Sequence, residues 1–191
     1  MSSKPPRALR ASTEFPMPTP KKNTQHQNGN VSPAQAIVET PRGCRNKYKL
    51  DEETGRMKLS KVMPEGMVFP YDFGFFPETK GDDGDPIDVL ILNDEPTFPG
   101  CQIDCRLIGL IRAHQKDADS KEHRNDRLIA VAESSVLFAS TRELSDLEAR
   151  LLKQLEDFFV NYQKVRDVEV TLMGRGGSDE ARQKLEKSFT R

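Results

Sequence analysis

Asp82-Asp83-Gly84-Asp85-Pro86-Ile87-Asp88-Val89-Leu90-Ile91-Leu92 sets four carboxylates against the start of an apolar run. The run is too short for a helix and rich in β-branched residues, so residues 87–92 read as a strand. Alternation then places Ile87, Val89 and Ile91 on one face and Asp88, Leu90 and Leu92 on the other. A loop accounts for Asp82, but Asp88 shares its face with two leucines. An unpaired carboxylate in such a place costs several kcal/mol, in the order-of-magnitude range for buried charge, and a cation relieves it. An EF-hand does not fit, because its fifth and sixth positions would fall on Ile87 and Asp88, where the loop needs glycine sixth. Oxygen ligands without nearby histidine or cysteine favour magnesium or manganese over zinc.

Outward from this segment the first half of the chain reads as strands. Residues 44–50 and 56–62 flank a hairpin loop ending at Gly55. Residues 67–77, aromatic and broken by Pro70, Gly74 and Pro77, suit an irregular strand pair lining a pocket. Residues 102–113 form a strand, 114–124 a polar loop and 127–132 another strand. Helices follow. Ser145 and Glu148 make a capping box ahead of Leu147, Leu151, Leu155, Phe158 and Tyr162 at helical spacing. A strand over 168–172 and a turn over 174–177 lead to Ser178 as N-cap of a last helix with Ala181, Leu185 and Phe189 inward. Strands first and helices after predict an α+β domain, mainly β, on a mostly antiparallel sheet or small barrel.

Residues 1–35 are Pro-rich and polar without a core-forming period, and are expected to be a disordered basic extension, with the domain occupying 36–191. Residues 1–30 carry Lys4, Arg7, Arg10, Lys21 and Lys22 against Glu14, a surplus of four, in a chain of net charge −1. The body therefore carries −5, which argues against a nucleic-acid partner. No window is long and apolar enough for a membrane span, and no apolar leader stands at the N-terminus. Cys44, Cys101 and Cys105 read as small hydrophobes in a reducing, cytoplasmic setting.

The segment from Asp83 to Val89 resembles the signature of the family I soluble inorganic pyrophosphatases. The likeness extends to Arg45-Asn46-Lys47-Tyr48, to Phe69-Pro70-Tyr71-Asp72-Phe73-Gly74, to residues 96–100 and to residues 158–162, over roughly residues 37–189. It implies a small, distorted, five-stranded OB-like barrel with peripheral helices, and hydrolysis of pyrophosphate to two phosphates by a magnesium-activated water. Asp83 and Asp88 resemble magnesium ligands, Asp85 the acid that positions or deprotonates the attacking water, and Glu39 an acid holding an outer metal through water. Lys47 and Tyr162 resemble the phosphate-binding lysine and tyrosine. The resemblance also implies a homo-oligomer, with a hexamer as the expected form.

The departures are specific. Lys61 stands where the family has arginine, Phe69 and Phe73 replace tyrosines, and Lys49 replaces an acid. Gln163 replaces a lysine, for which Lys164 is a substitute. Family members carry two further metal-binding aspartates before the strand at 127, with a lysine two residues after the second. Arg127 takes the lysine's place and Asn125 the second aspartate's. A one-residue bulge is expected to turn Asp126 inward instead, while Asp117 and Asp119 are candidates for the first. These changes leave two alternatives open: a metal- and phosphate-binding relative with impaired turnover, and a phosphohydrolase for a larger phosphoanhydride.

Overall fold

The computed structural model describes residues 33–116, 122–164 and 168–190. Most of the expected extension, and the candidates Asp117 and Asp119, lie outside the described residues. Among the described residues nine strands run in chain order: β1 (Ala34–Thr40), β2 (Asn46–Asp51), β3 (Arg56–Val62), β4 (Asp72–Phe75), β5 (Asp88–Leu92), β6 (Gln102–Lys116), β7 (Glu122–Arg124), β8 (Arg127–Ala132) and β9 (Glu169–Gly176). Two helices, α1 (Ala149–Lys164) and α2 (Ser178–Ser188), flank β9, and a 3-10 turn over Leu144–Asp146 precedes α1. Strand β1 begins at Ala34, so Ala34 and Gln35 belong to the sheet rather than to the extension.

Five strands make the expected ring. They join in the order β1, β4, β5, β8, β6, and β6 returns to pair with β1 from Ala34 opposite Cys105 to Ile37 opposite Gln102. Only β5 and β8 pair in parallel within that ring. Closure through β1, whose first half pairs with β6 and whose second half pairs with β4, gives every strand of the ring a neighbour on both sides over part of its length. Strand β6 is longer than the ring requires. Beyond the register shift at Gly109, whose φ is +150°, it continues to pair with β7 and β9. Residues 114–116 and 122–124 are thus strand rather than polar loop: His114, Gln115 and Lys116 pair with Arg124, His123 and Glu122.

The alternation on β5 is as expected, and both faces are buried, as for strands covered on two sides. Val89 and Ile91 join a cluster with Val38, Ile103, Cys105, Leu128 and α2's Ala181 and Leu185. Leu90 and Leu92 join a second with Phe69, Phe73, Ile129 and α1's Leu152, Leu155, Phe159 and Tyr162. Each such aliphatic side chain contributes about 1.5–3 kcal/mol on burial. Helix α1 is rotated from the expected stripe: Leu152 and Phe159 are buried, whereas Leu151 and Phe158 are only partly covered.

The helix ends also differ in detail. The capping box forms two residues early, where Glu143 and Asp146 cap each other's backbone around the 3-10 turn. Gly177, not Ser178, is the N-cap of α2, because β9 runs on through Gly176 and the Ser178 hydroxyl is engaged by Glu143. Phe189 falls beyond α2, half exposed, in a bridge to Thr79. In the aromatic stretch only Asp72–Phe75 is strand. Asp72, fully buried, accepts hydrogen bonds from Arg42 N, Asn93 Nδ2, Thr97 N and Thr97 Oγ1, which pins the neighbouring loops to β4.

Candidate active site

Four chain segments bring the sequence's acids and bases together. A register shift in β1 sets Val38 opposite Gly74 and Thr40 opposite Phe73, leaving Glu39 as the extra residue of a bulge. Bulges re-aim a side chain out of the strand's alternation. Glu39 is buried, and burial raises its carboxyl above the ordinary value; the charge of Lys47 lowers it and that of Asp88 raises it. Thr40 beside it keeps a buried hydroxyl with no hydrogen-bond partner among the described residues.

The β2–β3 hairpin carries the cations. Lys47 faces Lys61 directly across the pair, an arrangement of like charges that is unfavourable without an anion between or beside them. The Lys47 ammonium lies 5.0 Å from the Phe73 ring centre and 5.5 Å from that of Tyr162. Phe73 can do this without the tyrosine hydroxyl, since an aromatic face attracts a cation by itself. Phe69 packs within 5.0 Å of Phe73 and 5.4 Å of Tyr162, in a core with no exposure at Phe69 itself. Tyr162 is therefore both core and floor beneath Lys47.

The acidic loop supplies Asp83, Asp85 and Asp88. Asp83 Oδ1 accepts from the Asp85 backbone N–H at 3.2 Å and Asp83 Oδ2 from Asn125 Nδ2 at 2.9 Å. Burial raises the Asp83 carboxyl; the Asp85 N–H lowers it, and the charges of Asp88 and Asp85 raise it further. Asp85 lies 3.3 Å from Lys49 Nζ. The cation argued for at Asp88 is present in the chain: Arg127 Nη1 lies 2.7 Å from Asp88 Oδ2. Parallel pairing of Val89 with Leu128 puts the preceding residues, Asp88 and Arg127, side by side.

Asp126 does not join this group. It is fully enclosed, with Oδ2 2.7 Å from Arg124 Nε and 3.3 Å from Lys184 Nζ, and Oδ1 accepting from Ala113 N at 3.2 Å. Asn125 faces Asp83 instead, because no bulge forms and residues 125 and 127 keep the same side. Asn125 also accepts from Arg127 and donates to Gln115 Oε1 at 3.2 Å, which in turn accepts from Gln163 Nε2 at 3.2 Å. Sequence reading missed Gln115 and saw Gln163 only as a residue standing in place of a lysine. Lys164 ends α1 exposed, two residues and so about 200° around the helix from Tyr162, and no hydrogen bond or ion pair among the described residues ties it to the cluster.

The donor set suits a hard divalent cation. Every acid offers oxygen, Glu39 and Asp83 are held partly out of water, and Asp88 raises both. No three His, Cys, Asp or Glu side chains among the described residues already converge on one point. Asp126 belongs to the scaffold, and Asp126→Ala is expected to cost on the order of 3 kcal/mol by leaving cations and the Ala113 N–H uncompensated. That corresponds to roughly 6–12 °C in melting temperature for a domain of this size. Burial pushes the Asp126 carboxyl up, but Arg124, Lys184 and the Ala113 N–H together hold it below its ordinary value. Its stabilisation is complete above the ordinary carboxylate pKa and is lost as pH falls through the depressed one. Melting curves from neutral to acid pH should therefore fall less steeply for the variant; equal melting temperatures at neutral pH would remove Asp126 from the scaffold.

Residues 36–191 match the family model described as inorganic pyrophosphatase. A relative so named from Methanosarcina acetivorans is 36% identical over 155 residues, covering 81% of this chain and 89% of its own. Another from Leifsonia xyli is 36% identical over 155 residues, covering 80% and 91% respectively. Among solved structures, the inorganic pyrophosphatase of Helicobacter pylori superposes with a TM-score of 0.76 at 25% identity, covering 87% of this chain and 97% of that one. No described helix is long and apolar enough to cross a membrane.

Proposed function

Since the chain belongs to the inorganic pyrophosphatase family, whose members depend on divalent metal, we propose that it hydrolyses pyrophosphate to two phosphates with magnesium. The observation that carries this reading is that Glu39 feels the charges of Lys47 and Asp88, and Asp83 those of Asp85, Asp88 and Arg127, with Lys61 opposite Lys47 on the hairpin. Glu39, Asp83 and Asp88 are the residues that would hold the metal. Bound there, it would neutralise phosphate charge and make the attacking water more acidic. Asp85 takes the proton as the water oxygen forms its bond to one phosphorus. The bridging P–O bond breaks, and its electron pair leaves with the second phosphate. Lys47 over its aromatic floor, Lys61 opposite it and Arg127 stabilise the charge on the phosphates.

Three finer points belong to the same proposal. The free thiols of Cys44, Cys101 and Cys105 suit the reducing cytoplasm. Cys105 is buried, and burial pushes its thiol pKa up to about 12, which makes it inert. Asp94 holds Ser135 and the backbone of Val136 and Leu137, presenting two adjacent exposed apolar side chains. That surface suits a homo-oligomer, and we place the chain in a hexamer.

Phosphate release from pyrophosphate should require magnesium, stop on chelation with EDTA, and exceed release from ATP. Magnesium binding without release would favour the impaired relative, and preference for ATP the larger phosphoanhydride.

A further inference from the structure

The β2–β3 hairpin carries more cations than the proposed reaction uses. Lys47 faces Lys61, and two residues further out Lys49 faces Lys58. Cross-strand partners lie on one face, and alternation along β2 puts Lys47 and Lys49 on the same one. The register shift between Lys47 and Tyr48 takes up Ser60 as an extra residue and so keeps Lys58 in line with Lys61. Four lysines thus form two rungs on a single face. That face is turned to the site, since the Lys47 ammonium lies over Phe73 and Tyr162 and Lys49 Nζ lies 3.3 Å from Asp85. Lys49 is also one of this chain's departures, a cation in place of an acid.

Nothing within the fold accounts for the second rung. Like charges directly opposite each other destabilise a hairpin. Lys49 and Asp85 are 58% and 67% exposed, so their attraction is weak. No hydrogen bond or ion pair among the described residues holds the Lys58 ammonium. Lys49 and Lys58 line one open hollow together with Asp51 and Ser60. The next position outward ends the run: Asp51 faces Arg56, and Asp51 Oδ1 already accepts from the N–H groups of Glu53 and Thr54 at 3.1 Å. The two rungs are about 7 Å apart along the strand, a gap that flexible lysine stems can span. An anion seated on the first rung can therefore be extended outward by one unit before the surface becomes neutral. We propose, resting on the pyrophosphatase reading above, that Lys49 and Lys58 form a subsite for the third phosphate of a linear inorganic triphosphate whose other two occupy the pyrophosphate position. Lys58 distinguishes the two ligands, because it faces only the added phosphate.

The test is calorimetric titration of the full chain, at fixed free magnesium, with two non-hydrolysable ligands. Methylenediphosphonate has two phosphorus atoms and bis(phosphonomethyl)phosphinate has three. The longer ligand should bind about tenfold tighter, the gain from charge-assisted contacts to one more phosphate. Lys58→Gln should weaken it about threefold to tenfold, as suits an exposed charge contact, and leave methylenediphosphonate at wild-type affinity. Lys58→Arg should keep the longer ligand's advantage. The melting temperature of Lys58→Gln should not fall, since Lys58 opposes a like charge. The ATP analogue with methylene groups at both bridges separates a free chain from an esterified one. It should bind more weakly than the free chain, because the ester removes a charge from the phosphorus at the second rung; tighter binding overturns the inorganic assignment. Equal weakening of both ligands in Lys58→Gln, or no weakening of the longer one, overturns the subsite, and if the wild type still releases phosphate from pyrophosphate the function stands. A chain that binds neither ligand and releases no phosphate overturns both.

Discussion

Asp85→Asn should slow phosphate release from pyrophosphate by about two to four powers of ten, the usual contribution of a positioned general base. Asparagine has nearly the shape of aspartate but cannot take a proton from water at neutral pH. The substitution is also mild for the fold. Asp85 is exposed, and its described side-chain partner is the equally exposed Lys49, a contact worth little to stability. The Asp85 backbone groups, which bond Gly81 N and Asp83 Oδ1, remain in place. Melting temperature and its rise with magnesium, which reports ligand bound to the folded state, should stay close to wild type. Asp88→Asn is the contrast: it takes the counter-charge from a buried Arg127, so it should lower stability and magnesium binding together. The measurements are initial rates at saturating magnesium and melting temperature against magnesium concentration for both variants. Wild-type turnover in Asp85→Asn would make the acidic loop a solvated turn and remove the proposed chemistry.

Local pattern carried the parts of this fold that depend on neighbours in the chain. The hairpin around Gly55, strands β5 and β8, and the place of Asp88 on the Leu90 and Leu92 face all follow from alternation and turn chemistry. What pattern could not supply was pairing between distant strands. The cation on Asp88 is an arginine brought there by the parallel register of β5 and β8, and nothing near Asp88 in the sequence announces it. Asp126 is a different case. Residues 125 and 127 share a parity that 126 does not, so strict alternation out of β8 already pointed to Asn125. A preference for a carboxylate over an amide argued for a bulge, and the buried contacts with Arg124, Lys184 and Ala113 gave Asp126 a partner set that made the bulge unnecessary. The departures at Lys49, Asn125 and Gln163 are better understood together. They change the charge around the acidic loop while leaving the five-stranded ring intact.

A bulge does form in β1, and it lies beside Gly74, the described glycine at which an added Cβ would come closest to another atom. A Cβ at Gly74 would stand 1.9 Å from the Ile37 carbonyl oxygen, 2.8 Å from its carbon and 2.9 Å from Val38 Cα. All three are backbone atoms in a strand that β4 on one side and β6 on the other hold in place, so no side-chain rotation relieves the clash. Gly74→Ala is therefore expected to destabilise by more than about 4 kcal/mol, in the exceptional range for a single substitution. Fold and site are linked at this point, because Val38 opposite Gly74 is where the bulge begins and Glu39 is the residue it redirects. Moving β1 away from β4 to admit a methyl group would carry Glu39 away from Lys47 and Asp88. The expected result is a chain that is unfolded or melts far below wild type, with any folded fraction showing weaker magnesium stabilisation than wild type. Gly43→Ala is the comparison, at a positive-φ glycine whose Cβ would meet nothing within 4 Å. Strain of about 1–2 kcal/mol in the left-handed region is its expected cost. If Gly74→Ala melts no lower than Gly43→Ala, β1 and β4 do not approach as closely as described, and the aim of Glu39 has another cause.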